Sequence, residues 1–293
     1  MKRLDREPLG DWRRTHYSTD ILPILDGREV TVFGWVEDIR DLGGLKFLIL
    51  RDKEGLVQIT AHSEAVSPKI IQKMGELRKQ AVVGVRGIVK KIEKAPRGAE
   101  IAPKEIRLLS PACSPLPLDP TGRVPADIDV RLNARILDLR RPPSRAISRI
   151  RHVVLSAIRS FLSERGYMEV YTPKIIASAT EGGASLFPVA YFDKEAFLAQ
   201  SPQLYKEQLV SDFERVFEIG PIFRAEESRT MRHLSEVISI DIEEAFVTID
   251  DVTKTLEEII RFIFQSVKNQ CKNELAILKR RLSLPDASFE RFT

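Results

Sequence analysis

The apolar residues of the chain recur with two different periods, and the change from one to the other divides it. Between residues 28 and 109 they come in short runs rich in β-branched side chains, at 30–33, 46–50, 56–60, 81–89 and 106–109. Gly43-Gly44 and Asp52-Lys-Glu-Gly55 punctuate these runs as turns, and residues 68–79 have the charge and spacing of one helix between the third and fourth. Pro111, Pro115, Pro117, Pro120 and Pro125 then crowd a stretch that resists regular structure, as an interdomain hinge does. Beyond it the period becomes helical: Ile147, Ile150, Val154, Ile158 and Phe161 lie on one stripe of a helix over 144–164 ended by Gly166. A second stripe, Val252, Leu256, Ile259, Ile263 and Val267, predicts a helix over 250–271. Residues 167–170 read as a strand stopped by Pro173, Glu181-Gly182-Gly183 as a loop, and Ser201-Pro202 as a helix start with Ser at the cap and Pro at the first position. On that helix Gln203 and Lys206, three apart, share a face.

Five short strands and one helix in that order describe an oligonucleotide/oligosaccharide-binding (OB) barrel, with a small SH3-like barrel as the alternative. The segment 223–243 reads as two strands around a charged loop, preceded by strands at 216–219 and 222–226. Residues two apart in a strand share a face, so Arg224 shares one with Glu226, and Ser239, Asp241 and Glu243 line one face while Ile238, Ile240 and Ile242 turn to the core. The expected fold is therefore α+β: an OB barrel over 1–110, a linker over 111–130, and an antiparallel sheet with helices over 131–293. No internal repeat is visible.

Composition changes this picture little. The 293 residues are 43% hydrophobic with a formal charge of +4, which permits a polyanionic partner without demanding one. No apolar run approaches the roughly 20 residues that span a bilayer, and residues 1–14 are charged, so neither a membrane span nor a secretory signal is expected and the location reads as cytoplasmic. Cys113 and Cys271 stand far apart without a second Cys or His at ligand spacing, and are expected to be buried or inert thiols.

The hairpin sets an arginine beside several carboxylates, which suits a ligand bearing phosphate and amine groups. Around it stand Arg135-Ile-Leu-Asp-Leu-Arg-Arg141, Thr180-Glu-Gly-Gly183, Gln200-Ser-Pro-Gln-Leu-Tyr-Lys206, Phe223-Arg-Ala-Glu226 and Arg232-His-Leu-Ser-Glu236. In this order they resemble an archaeal or eukaryotic-type aspartyl-tRNA synthetase of class II, from about residue 12 to the C-terminus. The resemblance implies ATP-dependent activation of L-aspartate and its transfer to tRNA(Asp), with ATP and Mg2+ as cofactors. Arg224 would hold the α-phosphate through its guanidinium fork, Glu226 would read the adenine side, and His233 would reach the outer phosphates, these three carrying the catalytic role with Arg232 and Leu234 completing the ATP set. Lys206 would pair with the substrate side-chain carboxylate, Ser201 and Gln203 would flank it, Asp241 would receive the α-ammonium, and Glu181 would touch that amine from a closing loop. In the barrel, Phe47 would stack on the central anticodon base, Gln58 would hydrogen-bond its edge, and Arg40 and Arg51 would add phosphate or base contacts. The 144–164 helix resembles motif 1, which implies a homodimer.

Several positions depart from that family. A third motif, a glycine-rich strand and helix bearing an arginine, is expected, and no glycine follows Gly220; the magnesium carboxylates of the family also lie beyond Thr293. The chain is accordingly expected to hold the anticodon domain and about the first half of the catalytic domain, and not to activate aspartate by itself. Val237 stands where many relatives place an aromatic, and Glu244 where methionine is common. Glu37 replaces a tryptophan of strictly selective archaeal relatives, which leans toward charging tRNA(Asn) as well. Asparaginyl-tRNA synthetase is the nearest rival, disfavoured because a buried ammonium at Lys206 has a reason opposite a carboxylate and none opposite an amide. Lysyl-tRNA synthetase is disfavoured on the same ground, and a non-catalytic tRNA-binding remnant is the alternative of a different class.

Overall fold

A computed structural model describes residues 5–179, 185–226 and 234–284. Two compact units make up the chain, Met1–Leu137 and Asp138–Thr293.

In the first unit β1 (Glu29–Asp41), β2 (Leu45–Arg51), β3 (Leu56–His62), β4 (Val82–Lys91) and β5 (Ala99–Ser110) close into a barrel in the order β1-β2-β3-β5-β4. Alternation sends Leu48, Leu50, Val57, Ile59, Val83 and Val85 inward and leaves Phe47, Ile49, Gln58 and Thr60 on the outer face. The helix α1 (Pro68–Glu76), with Pro68 in its first turn, plugs the barrel with Ile70 and Met74. At Gly34 a Cβ would fall 2.3 Å from the Arg51 carbonyl oxygen, so only glycine lets β1 and β2 approach this closely as the barrel closes. The fifth strand is much longer than the expected run at 106–109, because Pro103 and the charges around it, beside a register shift at Arg86/Gly87, mask its ladder with β4. Cys113 is exposed, in the proline-rich segment that leaves the barrel, and Cys271 is buried.

Short helices α2 (Ile128–Asn133) and α3 (Arg135–Asp138) lead to α4 (Pro142–Glu164) of the second unit. That helix starts two residues earlier than its stripe suggested and ends at Gly166, whose φ of +81° favours glycine. Two three-stranded sheets follow: β6 (Met168–Glu169), β10 (Arg215–Phe223) and β11 (Glu236–Glu244) in the order β11-β10-β6, and β7 (Ile175–Ile176), β8 (Pro188–Tyr191) and β9 (Lys194–Leu198) in the order β7-β9-β8. Helix α5 (Gln203–Phe213) precedes β10, and α6 (Ile249–Gln270) and α7 (Lys272–Ile277) end the described chain. Pro202 is the cap residue of α5 rather than its first residue, and Ser201 still serves the turn, its Oγ accepting the Gln203 N–H at 3.3 Å.

The strands expected at 216–219 and 222–226 are one strand, β10, running through Gly220-Pro221. Its odd-numbered residues turn their backbone groups away from β11: the Phe223 N–H donates to the Ala199 carbonyl and the Phe217 carbonyl accepts from Val170. Pro221 therefore lacks an N–H on the side where β11 asks for none. The odd side chains Phe217 and Ile219 pack with Ile158, Phe161, Leu162, Tyr167 and Ile259 under α4 and α6.

One expectation fails in an informative way. Ile242 joins this core, but Ile238 and Ile240 are each 42% exposed, and Val252 and Leu256 at the start of α6 are exposed as well. Alternation identifies the shared face of a strand, but not whether anything covers it. Here α4 and α6 cover only the Ile242 end of β11, which is an edge strand of the described sheet.

At that covered end the Tyr167 hydroxyl donates to the Glu244 carboxylate, which also pairs with Arg215 Nε at 2.6 Å. Burial and then this hydrogen bond push the Tyr167 phenol up to about 12. An unfolded tyrosine loses its proton near 10, so the stabilisation is fully present below about pH 10 and is lost as pH rises toward the folded value. Thermal melts between pH 10 and 12 are expected to fall more steeply for the wild type than for Tyr167→Phe; parallel curves would refute this.

Candidate functional site

Facing residues of an antiparallel pair share a side, so the register Val216↔Glu243, Glu218↔Asp241, Gly220↔Ser239 puts the even residues of β10 and the odd residues of β11 on the face opposite the core. Helix α5 packs across this face. Lys206 projects from it and is 4% exposed, its Nζ 3.4 Å from Asp241 Oδ1 and 3.5 Å from Glu243 Oε2. Gln203, one turn earlier, donates to Glu207 at 2.9 Å and to Glu243 at 3.4 Å. A buried ammonium between two carboxylates is tolerable only because both neutralise it. The arrangement sets an ammonium able to receive a carboxylate beside carboxylates able to receive an ammonium, and an amino acid with an acidic side chain carries both kinds of partner.

Next to Asp241 across the ladder lies Glu218, 2% exposed. It accepts the Thr172 N–H at 3.1 Å and the Thr172 hydroxyl at 2.7 Å, and pairs with Lys174 Nζ at 2.8 Å. Sequence reading missed all three residues. The signal was weak because Val216, Phe217, Glu218 and Ile219 are consecutively buried, which hides the alternation that would have marked Glu218 as facing the ligand side.

The barrel carries a second candidate, a groove of about 680 Å³ whose lining includes Arg40, Phe47, Gln58, His62, Lys94 and Glu100. Gln58 Nε2 donates to Glu100 at 2.7 Å, and Thr60 donates to the same carboxylate at 2.6 Å. With its NH2 committed, Gln58 has its carbonyl oxygen to offer a ligand. Arg51 is not among the lining residues: it is buried, its Nε is 3.0 Å from Glu37, and its guanidinium lies 5.3 Å from the Trp35 ring centroid. Glu37 itself occupies the irregularity in the β1–β2 register between Val36 and Asp38, where a strand re-aims a side chain. Glu100 was missed because the first half of β5 was not recognised.

An aromatic-bearing groove on an OB barrel, followed by a sheet with a buried Lys–Asp–Glu cluster, is matched by two family models. Residues 30–109 match the OB-fold nucleic acid binding domain and residues 127–293 match the class II tRNA synthetases (D, K and N). The chain belongs to the class II tRNA synthetases. Among curated relatives of this family, the aspartate–tRNA(Asp/Asn) ligases of Methanopyrus kandleri and Methanothermobacter thermautotrophicus are 53% and 52% identical over 94% and 97% of the chain. The chain spans 65% of the length of each. Among solved structures, asparaginyl-tRNA synthetase from Pyrococcus horikoshii with asparaginyl-adenylate superposes with a TM-score of 0.85 at 34% identity, over 90% of this chain and 60% of that one. A putative aspartyl-tRNA synthetase from Leishmania major Friedlin gives 0.83 at 31%, over 94% and 57%.

Within this class II synthetase unit the expected ATP residues are only partly in view. Arg224 and Glu226 are exposed beyond the end of β10, the Arg224 N–H donating to the Ser235 carbonyl at 3.0 Å, and Leu234 is exposed opposite them. Arg232, His233 and Glu181 lie outside the described residues. No group of three or more His, Cys, Asp or Glu that could hold a metal ion occurs among the described residues. Glu244, one of the departures from the family pattern, faces Tyr167 and Arg215 on the core side and not Lys206. No helix among the described residues is long and apolar enough to cross a membrane.

Proposed function

We propose that this chain carries the aspartate-binding face and the anticodon-reading barrel of an ATP-dependent aspartate–tRNA ligase that serves tRNA(Asp) and tRNA(Asn). The observation that carries the reading is the buried Lys206 ammonium between Asp241 and Glu243. On binding, the substrate side-chain carboxylate replaces the resident carboxylates at Lys206, while Asp241 turns to the α-ammonium. The α-carboxylate then attacks the α-phosphorus of ATP and pyrophosphate leaves, with Arg224 stabilising the developing charge and His233 reaching the outer phosphates. The aspartyl group passes to the terminal adenosine of the tRNA. Support for relaxed tRNA choice comes from the names of the archaeal relatives and from Glu37. A cytoplasmic location and pairing of two copies through α4, where Ile147 is exposed, belong to the same reading.

Calorimetric titration of the 293-residue chain with L-aspartate and L-asparagine tests the amino-acid half, and filter binding of both tRNAs over a salt series tests the barrel. Aspartate is expected to bind in preference to asparagine. Phe47→Ala is expected to weaken binding of both tRNAs by about tenfold or more, since stacking of one base contributes about 1–3 kcal/mol. A preference for asparagine would move the assignment to the asparagine enzyme, and tRNA binding unmoved by Phe47→Ala would remove the barrel from the reading.

A further inference from the structure

Among the described residues the ligand-side face carries three carboxylates, on Glu218, Asp241 and Glu243, and two ammoniums, on Lys174 and Lys206. These charges are divided unevenly. Glu218 is fully engaged by Thr172 and Lys174, and Lys174 Nζ also donates to the Thr172 hydroxyl at 3.1 Å, closing a triangle. Lys206 is held at 3.4 and 3.5 Å, more loosely than the 2.8 Å of the Lys174–Glu218 pair. Lys174 lies over Gly220, where a Cβ would come 3.1 Å from Glu218 Oε1 and 3.4 Å from Lys174 Cε, so the pair fills the space a larger residue would take. Its backbone is anchored too: the Lys174 carbonyl accepts the Ala199 N–H at 3.0 Å, and the Ala199 carbonyl accepts the Phe223 N–H at 2.9 Å. Ala199 leads directly into Gln200, Ser201 and α5, so this tether joins the Lys174 segment to the one that delivers Lys206.

We propose that Lys174, with Thr172, is a positioning residue that sets the choice between a carboxylate and an amide in the ligand without touching it. By neutralising Glu218, which stands directly opposite Asp241, it removes a third competitor for Lys206 and leaves that ammonium available to an incoming carboxylate. Without Lys174 the Glu218 charge would draw Lys206 toward β10 and oppose an anionic side chain at the same time. Asparagine, which brings no second carboxylate, is indifferent to that charge. The inference rests on the proposed aspartate-binding role of this face and deepens it.

The test compares the affinities of L-aspartate and L-asparagine for wild-type chain, Lys174→Met, Glu218→Gln and the double variant. Lys174→Met is expected to lower the aspartate-to-asparagine preference by about tenfold, Glu218→Gln to keep or raise it, and the double variant to restore it. Should Lys174→Met fail to fold, the Glu218→Gln and double variants carry the comparison, since loss of preference in either contradicts the charge account. Uniform weakening of both ligands at constant ratio would make Lys174 merely structural and overturn the inference alone. A wild-type chain that binds neither amino acid would remove the proposed function, and this inference with it.

Discussion

Replacing Lys206 with methionine is expected to weaken L-aspartate binding by on the order of a thousandfold while leaving L-asparagine within a few-fold of its wild-type affinity. Methionine fills much of the lysine stem, so α5 keeps its packing on the sheet and only the ammonium disappears. That ammonium is 4% exposed and lies between Asp241 and Glu243. Removing one member of a buried ionic cluster costs about 3–5 kcal/mol, because the remaining charge is left uncompensated, and the free energy that corresponds to tenfold is about 1.4 kcal/mol. The resident carboxylates still receive an α-ammonium, which is why an amino acid with a neutral side chain should be spared. Calorimetry with both ligands checks this, and aspartate affinity that stayed within tenfold of wild type would exclude Lys206 as its charge partner.

The cluster around Lys206 was legible in the sequence to an unequal degree. Gln203 and Lys206 on one helical face, and Asp241 and Glu243 on one strand face, follow from periods of 3.6 and 2, and the structure brings these four together. The partner set of Glu218 could not be read this way. Thr172 and Lys174 come from an irregular segment 46 and 44 residues earlier by sequence number, and neither period constrains where such a segment crosses a sheet. The same limit applies in the barrel, where the outer positions Phe47 and Gln58 follow from alternation, but the Glu100 carboxylate that orients Gln58 arrives from a strand whose pattern Pro103 had obscured. Coverage was the other illegible quantity. The bare Ile238 and Ile240 have the pattern of core residues and the exposure of surface ones, because burial depends on which elements arrive over a face and not on the face itself. An exposed apolar edge of this kind favours association with another strand.

Phe217→Ala is expected to destabilise the second unit by about 3–5 kcal/mol, the usual consequence of removing a fully buried aromatic, while the barrel's own unfolding transition stays where it is. Phe217 is 0% exposed and sits between Val216 and Glu218 on the strand that carries Glu218 and pairs with the one that carries Asp241 and Glu243. Its ring faces Ile158, Phe161, Leu162 and Tyr167 from below, while its neighbour Glu218 faces Lys174 and Asp241 from above. A cavity under β10 would therefore act on both faces at once: the core loses contacts, and the strand that fixes the spacing of Glu218, Asp241 and Lys206 loses the anchor that holds it at one height. Denaturant titration followed at Trp12 and Trp35, both in the first unit, should report an unchanged midpoint, whereas far-ultraviolet dichroism, which also senses α4 and α6, should show an early transition. A single transition shifted equally in both signals would mean that the two units unfold together, and a shift below about 1 kcal/mol would mean that the core closes over the missing ring.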